Sequence, residues 1–137
     1  MGAIMWDRGQ GPKIFIVEDD SMVLDLIATR LELGGYRVAF ARNGLQAVND
    51  LADYRPAGML LDINMPIMDG FEVLRSIRLR SALAHLPVLM LTARNAAEDV
   101  RRAVQLGAKD YLTKPFTDNQ LMTRVARLIR KRPEAMA

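Results

Sequence analysis

The chain has 137 residues, half of them hydrophobic, with 19 basic and 16 acidic side chains and a net charge of +3. That length suits one core, and so small a surplus does not mark a nucleic-acid binder, which needs a clustered basic face. The absence of cysteine excludes disulfides, thiolate nucleophiles and thiolate metal ligands, and no apolar run approaches the ~20 residues that span a bilayer.

Residues 1–12 carry three glycines, one proline and no apolar periodicity, and read as a flexible lead-in outside the fold. They lack a basic segment followed by an apolar one, so no secretory signal is expected and the chain reads as cytoplasmic. The domain proper is expected over 13–132, with 133–137 as a tail.

From Lys13 the chain alternates regularly. Ile14 to Val17 is a continuous apolar strand that ends in Glu18-Asp19-Asp20. A helix follows, capped by Asp20 or Ser21, with Leu24, Ile27, Ala28 and Leu31 as its buried stripe and Gly34-Gly35 as its stop. Tyr36 to Ala41 is a second strand, with Val38 and Phe40 alternating with Arg37 and Ala39. Asn43 with Gln46 forms a capping-box pattern opening a helix striped by Ala47, Val48 and Leu51.

The third strand starts at Ala57 and delivers one carboxylate, Asp62, to its end. A loop holding Asn64 and Pro66 closes on Asp69-Gly70, where Asp69 and Glu72 repeat the capping pattern before a helix carrying Phe71, Leu74 and Ile77. Pro87 to Leu91 is again wholly apolar and is closed by Thr92-Ala93. Asn95 with Glu98 is a third capping-box pattern, opening a helix that runs through Val100 and Val104 to a stop at Gly107. A short strand, Asp110 to Thr113, leads into Lys114-Pro115. The last helix starts near Thr117 or Asp118, with stripe Leu121, Val125, Leu128 and Ile129. Its basic end, Arg130-Lys131-Arg132, reads as a solvated helix terminus that suits the dipole.

Apolar strands joined by helical crossovers mean a parallel sheet covered on both faces. The fold class is therefore α/β, a doubly wound, flavodoxin-like (βα)5 arrangement with strand order 2-1-3-4-5. In that order, strands one, three, four and five bring Glu18, Asp19, Asp62, Thr92 and Lys114 to one crevice at the carboxyl edge of the sheet. Crowded carboxylates repel unless a cation sits among them, and a hard divalent ion is the natural partner. A carboxylate can also act as a nucleophile toward phosphorus, with Lys114 and Thr92 supplying positioned charge and a donor to the phosphoryl oxygens.

Four motifs occur in order: Ile16-Val-Glu-Asp-Asp20, Leu61-Asp-Ile-Asn-Met-Pro66 with Asp69-Gly70, Leu91-Thr-Ala93, and Asp110-Tyr-Leu-Thr-Lys-Pro-Phe116. In these motifs the chain resembles the CheY-like receiver domains of bacterial two-component response regulators, over roughly Lys13 to Arg132. The resemblance implies that Asp62 accepts a phosphoryl group from a sensor histidine kinase or a phosphotransfer protein. It implies that Asp19, Asp62 and the backbone carbonyl of Asn64 bind Mg2+ (Mn2+ could substitute), with Glu18 acting through metal-bound water. Thr92 and Lys114 would hold the phosphoryl oxygens. Tyr111 would be the aromatic switch, changing the surface of the fourth helix, fifth strand and fifth helix for partner binding.

The Lys114-Pro115 peptide is expected cis, as in the family, which would aim the lysine into the crevice. Asn64 and Arg94 lie two residues past Asp62 and Thr92, bordering the path of the hydrolytic water, and are expected to tune phosphoryl lifetime. Lys109 stands where DNA-binding members often carry an acid used in dimerisation, so a monomer or weak dimer is expected. The chain reads as a signalling switch that catalyses its own phosphorylation and dephosphorylation, either free-standing or excised from a hybrid kinase or multidomain regulator. Neither direct DNA binding nor membrane association is expected. The alternative, an aspartyl-nucleophile phosphatase-type hydrolase, wants a second acid two residues past Asp62, where Asn64 stands.

Overall fold

The computed structural model describes residues 11–93 and 97–130, and in it the alternation of apolar runs and amphipathic stretches becomes strand and helix in turn. The elements are β1 (Lys13–Val17), α1 (Ser21–Leu33), β2 (Arg37–Ala41), α2 (Gly44–Tyr54), β3 (Gly58–Asp62) and α3 (Gly70–Arg78). A single 3₁₀ turn at Ser81–Leu83 leads to β4 (Val88–Thr92), α4 (Ala97–Gln105), β5 (Asp110–Thr113) and α5 (Asp118–Ile129). All four strand pairings are parallel, in the order β2-β1-β3-β4-β5. The doubly wound order inferred from the sequence is the observed one.

The near-continuous apolar composition of β1, β3 and β4 follows from burial on both faces. Alternate side chains go to different layers. Phe15, Val17, Met59, Leu61, Val88 and Met90 pack beneath α2, α3 and α4. Ile14, Ile16, Leu60, Leu89, Leu91 and Leu112 pack against Leu24, Ile27 and Leu31 of α1 and Leu121, Val125 and Leu128 of α5. Fully burying one such side chain contributes roughly 1.5–3 kcal/mol, so these two layers dominate the stability of the domain.

In α4 the buried positions are Asp99 and Ala103, and Val104 is 62% exposed. In this Arg-rich, nine-residue helix the two valines lie beside the contact line rather than on it. Phe40 departs from its alternation, being 52% exposed, because β2 is an edge strand and the layer thins there.

Local signals stop and start the helices where chain direction must reverse. Asp20, Asn43, Asp69 and Thr117 are the N-caps of α1, α2, α3 and α5, and Asp69–Glu72 and Thr117–Gln120 form complete capping boxes. Gly35 and Gly107 follow α1 and α4 with φ of 96° and 92°, a region glycine enters without a Cβ penalty. The cap of α4 expected at Asn95 lies outside the described residues. Among the described residues no helix is long and apolar enough to cross a membrane.

The amino edge of the sheet, where the helices end, is held by cations. Arg78 donates to the carbonyl oxygens of Leu83, Ala84, Leu86, Leu106 and Gly107 over 2.7–3.3 Å. It therefore joins the end of α3 to the α3–β4 and α4–β5 connections, and burial pushes its pKa below the usual guanidinium value. Lys13 donates to Tyr54 O at 2.8 Å, Arg37 to Gly11 O at 2.7 Å and Lys109 to Leu128 O at 2.9 Å. Tyr54 and Leu128 lie in the last turns of α2 and α5, where carbonyls lack intrahelical partners, and Lys13 and Lys109 supply them.

Candidate acidic site at the carboxyl edge

The opposite edge of the sheet is acidic. β1 ends by placing Glu18 and Asp19 beside Asp62, the last residue of β3, and oxygens of the three carboxylates lie within 4.8 Å of one another. Glu18 is 1% and Asp62 5% exposed, whereas Asp19 is partly open to solvent. Lys114, just past β5, sends its Nζ to Glu18 Oε1 at 2.7 Å and to Asp62 Oδ1 at 3.6 Å. The Lys114–Pro115 bond is cis.

Thr92 closes β4 and is fully buried. Its carbonyl accepts a hydrogen bond from Lys114 N at 2.8 Å, so the β4–β5 ladder ends inside the crevice. Tyr111, on β5, is half-buried against the layer that contains Met90 and Ala103. Arg124 on α5 reaches back to the same strand, donating to Asp110 Oδ1 at 3.0 Å and Tyr111 O at 3.1 Å. Asn64 lies two residues past Asp62 and is exposed. The structure thus brings Glu18, Asp19, Asp62, Thr92 and Lys114 to one edge, with Asn64 at the rim. Arg94 lies outside the described residues.

The loop after Asp62 is tightly built. Gly70 N donates to Ile63 O at 2.8 Å, and a Cβ added at Gly70 would lie 2.4 Å from Asp62 O. Only glycine lets the start of α3 pack so closely on the acid's own backbone. Met68 N donates to Pro66 O at 2.7 Å, a three-residue turn whose central residue, Ile67, has φ of 71°. A β-branched residue there is strained, and Ile67 is 87% exposed, so no packing explains it.

Electrostatically the site is unbalanced. Asp62 is pushed up to about 7, first by burial and then by the Glu18 charge, with Asp19 and a hydrogen bond from protonated Asp62 to Glu18 acting in the same direction and Lys114 opposing them. One ammonium among three carboxylates leaves net negative charge in a largely dry crevice. The donor set is all oxygen, with Asp19 open on one side, which fits a hard divalent cation of the Mg2+ type.

Two residues near the site went unremarked in the sequence reading. Arg42 donates from Nη2 to Asp19 O at 3.0 Å, and Ile67 forms the strained turn. Neither carries a local signal, since an Arg after a strand and an Ile in a loop are ordinary in composition.

Comparison with known proteins points the same way. The family model described as Response regulator receiver domain matches residues 14–126. The chain is 39% identical over 121 residues to the transcriptional regulatory protein PrrA of Mycobacterium tuberculosis, covering 88% of this chain and 51% of that protein. It is 39% identical over 123 residues to the response regulator MprA of Mycobacterium avium, covering 89% of this chain and 53% of the relative. The chain thus spans about half the length of these curated relatives.

Among solved structures it is similar to the chemotaxis protein CheY4 of Vibrio cholerae, with TM-score 0.83 and 30% identity, covering 86% of this chain and 98% of that one. It is also similar to the receiver domain of the sensor histidine kinase PA1611 of Pseudomonas aeruginosa, which carries a magnesium ion coordinated in its active-site cleft. That match has TM-score 0.80 and 34% identity, covering 87% of this chain and 98% of the other.

Proposed function

The chain belongs to the response-regulator receiver domain family, and we propose that it is a phosphoryl-accepting switch with Asp62 as the acceptor. The observation that carries this reading is the cluster of Glu18, Asp19 and Asp62 within 4.8 Å, with Lys114 bridging Glu18 and Asp62. Asp19, Asp62 and the carbonyl of Asn64 would hold Mg2+, with Glu18 behind them through water. When bound, the ion neutralises the carboxylates and draws the phosphoryl oxygens toward Asp62.

The remaining work falls to the chain's own residues. An oxygen of Asp62 forms the new P–O bond while the bond from phosphorus to the donor breaks, the electron pair leaving with the donor. The donor is a phosphohistidine on a sensor kinase or phosphotransfer protein. Lys114 lies close enough to turn its ammonium from Asp62 to a phosphoryl oxygen, and Thr92 would donate from its hydroxyl. Phosphorylation adds about −1.5 to −2 charges. Thr92 moves toward that charge and vacates space for Tyr111, altering the surface of α4, β5 and α5 that a partner protein reads. Asn64 and Arg94, two residues past Asp62 and Thr92, would set the lifetime of the acyl phosphate.

The test is intact-protein mass after incubation with acetyl phosphate and Mg2+. A gain of roughly 80 Da, one phosphoryl group, is expected for the wild type and not for Asp62→Asn or in excess chelator. No gain, with no release of inorganic phosphate, would leave the crevice without its proposed chemistry.

A further inference from the structure

Three consecutive acids leave β1, and each is fixed differently. Asp20 caps α1, its Oδ1 accepting from Met22 N at 2.9 Å and Val23 N at 3.3 Å. Glu18 accepts from Lys114 at 2.7 Å and from Asp20 N at 3.2 Å. Asp19 is held through its main chain, from another element. Arg42, the first residue past β2, donates from Nη2 to Asp19 O at 3.0 Å.

Arg42 is tied to the start of α2. Its N–H donates to Gln46 Oε1 at 3.4 Å, and Asn43 Oδ1 accepts from Gln46 N at 2.8 Å, so the N-terminal cap of α2 anchors it. The carbonyl of Asp19 fixes the peptide plane joining Asp19 to Asp20, and with it the direction in which the Asp19 side chain leaves the backbone. That carboxylate is the partly open member of the cluster. Glu18 N also donates to Ala41 O at 3.1 Å, so the end of β2 grips the acid loop at two successive residues.

We propose that Arg42 is a positioning residue for the cation site: its guanidinium locks the Asp19 peptide so that the Asp19 carboxylate faces Asp62. This rests on the reading of the site given above. Two consequences of the same side chain oppose one another, which makes the proposal testable by sign. As a nearby positive charge, Arg42 disfavours a divalent cation. As an anchor for Asp19, it favours one, because residues behind the ligands commonly change metal affinity by 10–100-fold.

The experiment is isothermal titration of MgCl2 into wild type, Arg42→Ala and Arg42→Lys, with thermal midpoints measured alongside. Arg42→Ala is expected to weaken Mg2+ binding by roughly three- to tenfold, below the full range for such residues because the bond is solvent-exposed. Arg42→Lys, which keeps charge and donor, is expected to stay within about twofold of wild type. Affinity unchanged or tighter in Arg42→Ala overturns the proposal and leaves Arg42 as a surface charge. If Arg42→Ala does not fold, Arg42→Met, which keeps an apolar stem, is read by the same criterion. A wild type that binds no Mg2+ overturns the site reading itself, and this inference with it.

Discussion

At the carboxyl edge of the sheet, Glu18, Asp19 and Asp62 crowd within 4.8 Å around one ammonium. At the amino edge a single guanidinium, Arg78, is surrounded by the carbonyls of five residues. Both edges gather charge, but only one is satisfied by the chain itself. Arg78 meets acceptors fixed by helix ends, so its bonds are part of the fold. The carboxylates meet one another, so their balance needs something from solution. The same parallel sheet thus has a structural edge and an acidic edge, distinguished by which one the backbone can neutralise.

The comparison breaks most visibly at Arg78. Arg78→Met strips hydrogen bonds from five residues and should destabilise the domain by about 3 kcal/mol, read as a lower midpoint in urea. Arg78→Lys should recover little, because a point ammonium cannot reproduce the fork. A loss below about 0.5 kcal/mol would mean that the amino edge is no more structural than an ordinary surface.

At the other edge the sign reverses. Asp62 titrates from a usual 3.8 in the unfolded chain and about 7 in the fold, so the folded state binds more protons. The stability this confers is present below pH 3.8 and is lost as pH rises through about 7. Asp62→Asn should therefore stabilise the metal-free domain at pH 8 by about 1 kcal/mol, with the gain shrinking toward pH 4 or on adding Mg2+ to both proteins. A variant equally destabilised at both pH values would show that Asp62 is held by favourable contacts rather than strained by its neighbours.

A smaller effect sharpens the same contrast. Ile67→Gly relieves a positive φ in the loop after Asp62 and should add about 0.5–1 kcal/mol of stability, the relief exceeding the entropy that glycine brings to the unfolded chain. No gain in thermal midpoint would mean that the turn is not strained.

Much of this was legible in the sequence. Continuous apolar runs and period-3.6 stripes identified most strands and helices, and parallel topology then brought the acids, Thr92 and Lys114 together without any contact being known. Legibility failed where meaning depends on partners distant in the chain. Arg78 carries no local signal, and its role exists only once Leu83–Leu86 and Leu106–Gly107 are folded around it. Arg42 gains significance only when the end of β2 lies beside the end of β1. The face of α4 cannot be read from its valines, because the buried positions are Ala103 and Asp99. Small or charged residues on a contact line are invisible to hydrophobic periodicity.

The rung from Lys114 N to Thr92 O makes the two residues proposed to hold the phosphoryl oxygens mechanically one. Neither can be displaced without pulling on the other's peptide, so the crevice responds as a hinged pair rather than as two independent fingers. Because Tyr111 lies three residues upstream on the same strand and Arg124 grips its carbonyl, that pull has a direct line of traction to α5. The reach of the switch is thus set by the stiffness of one short edge strand.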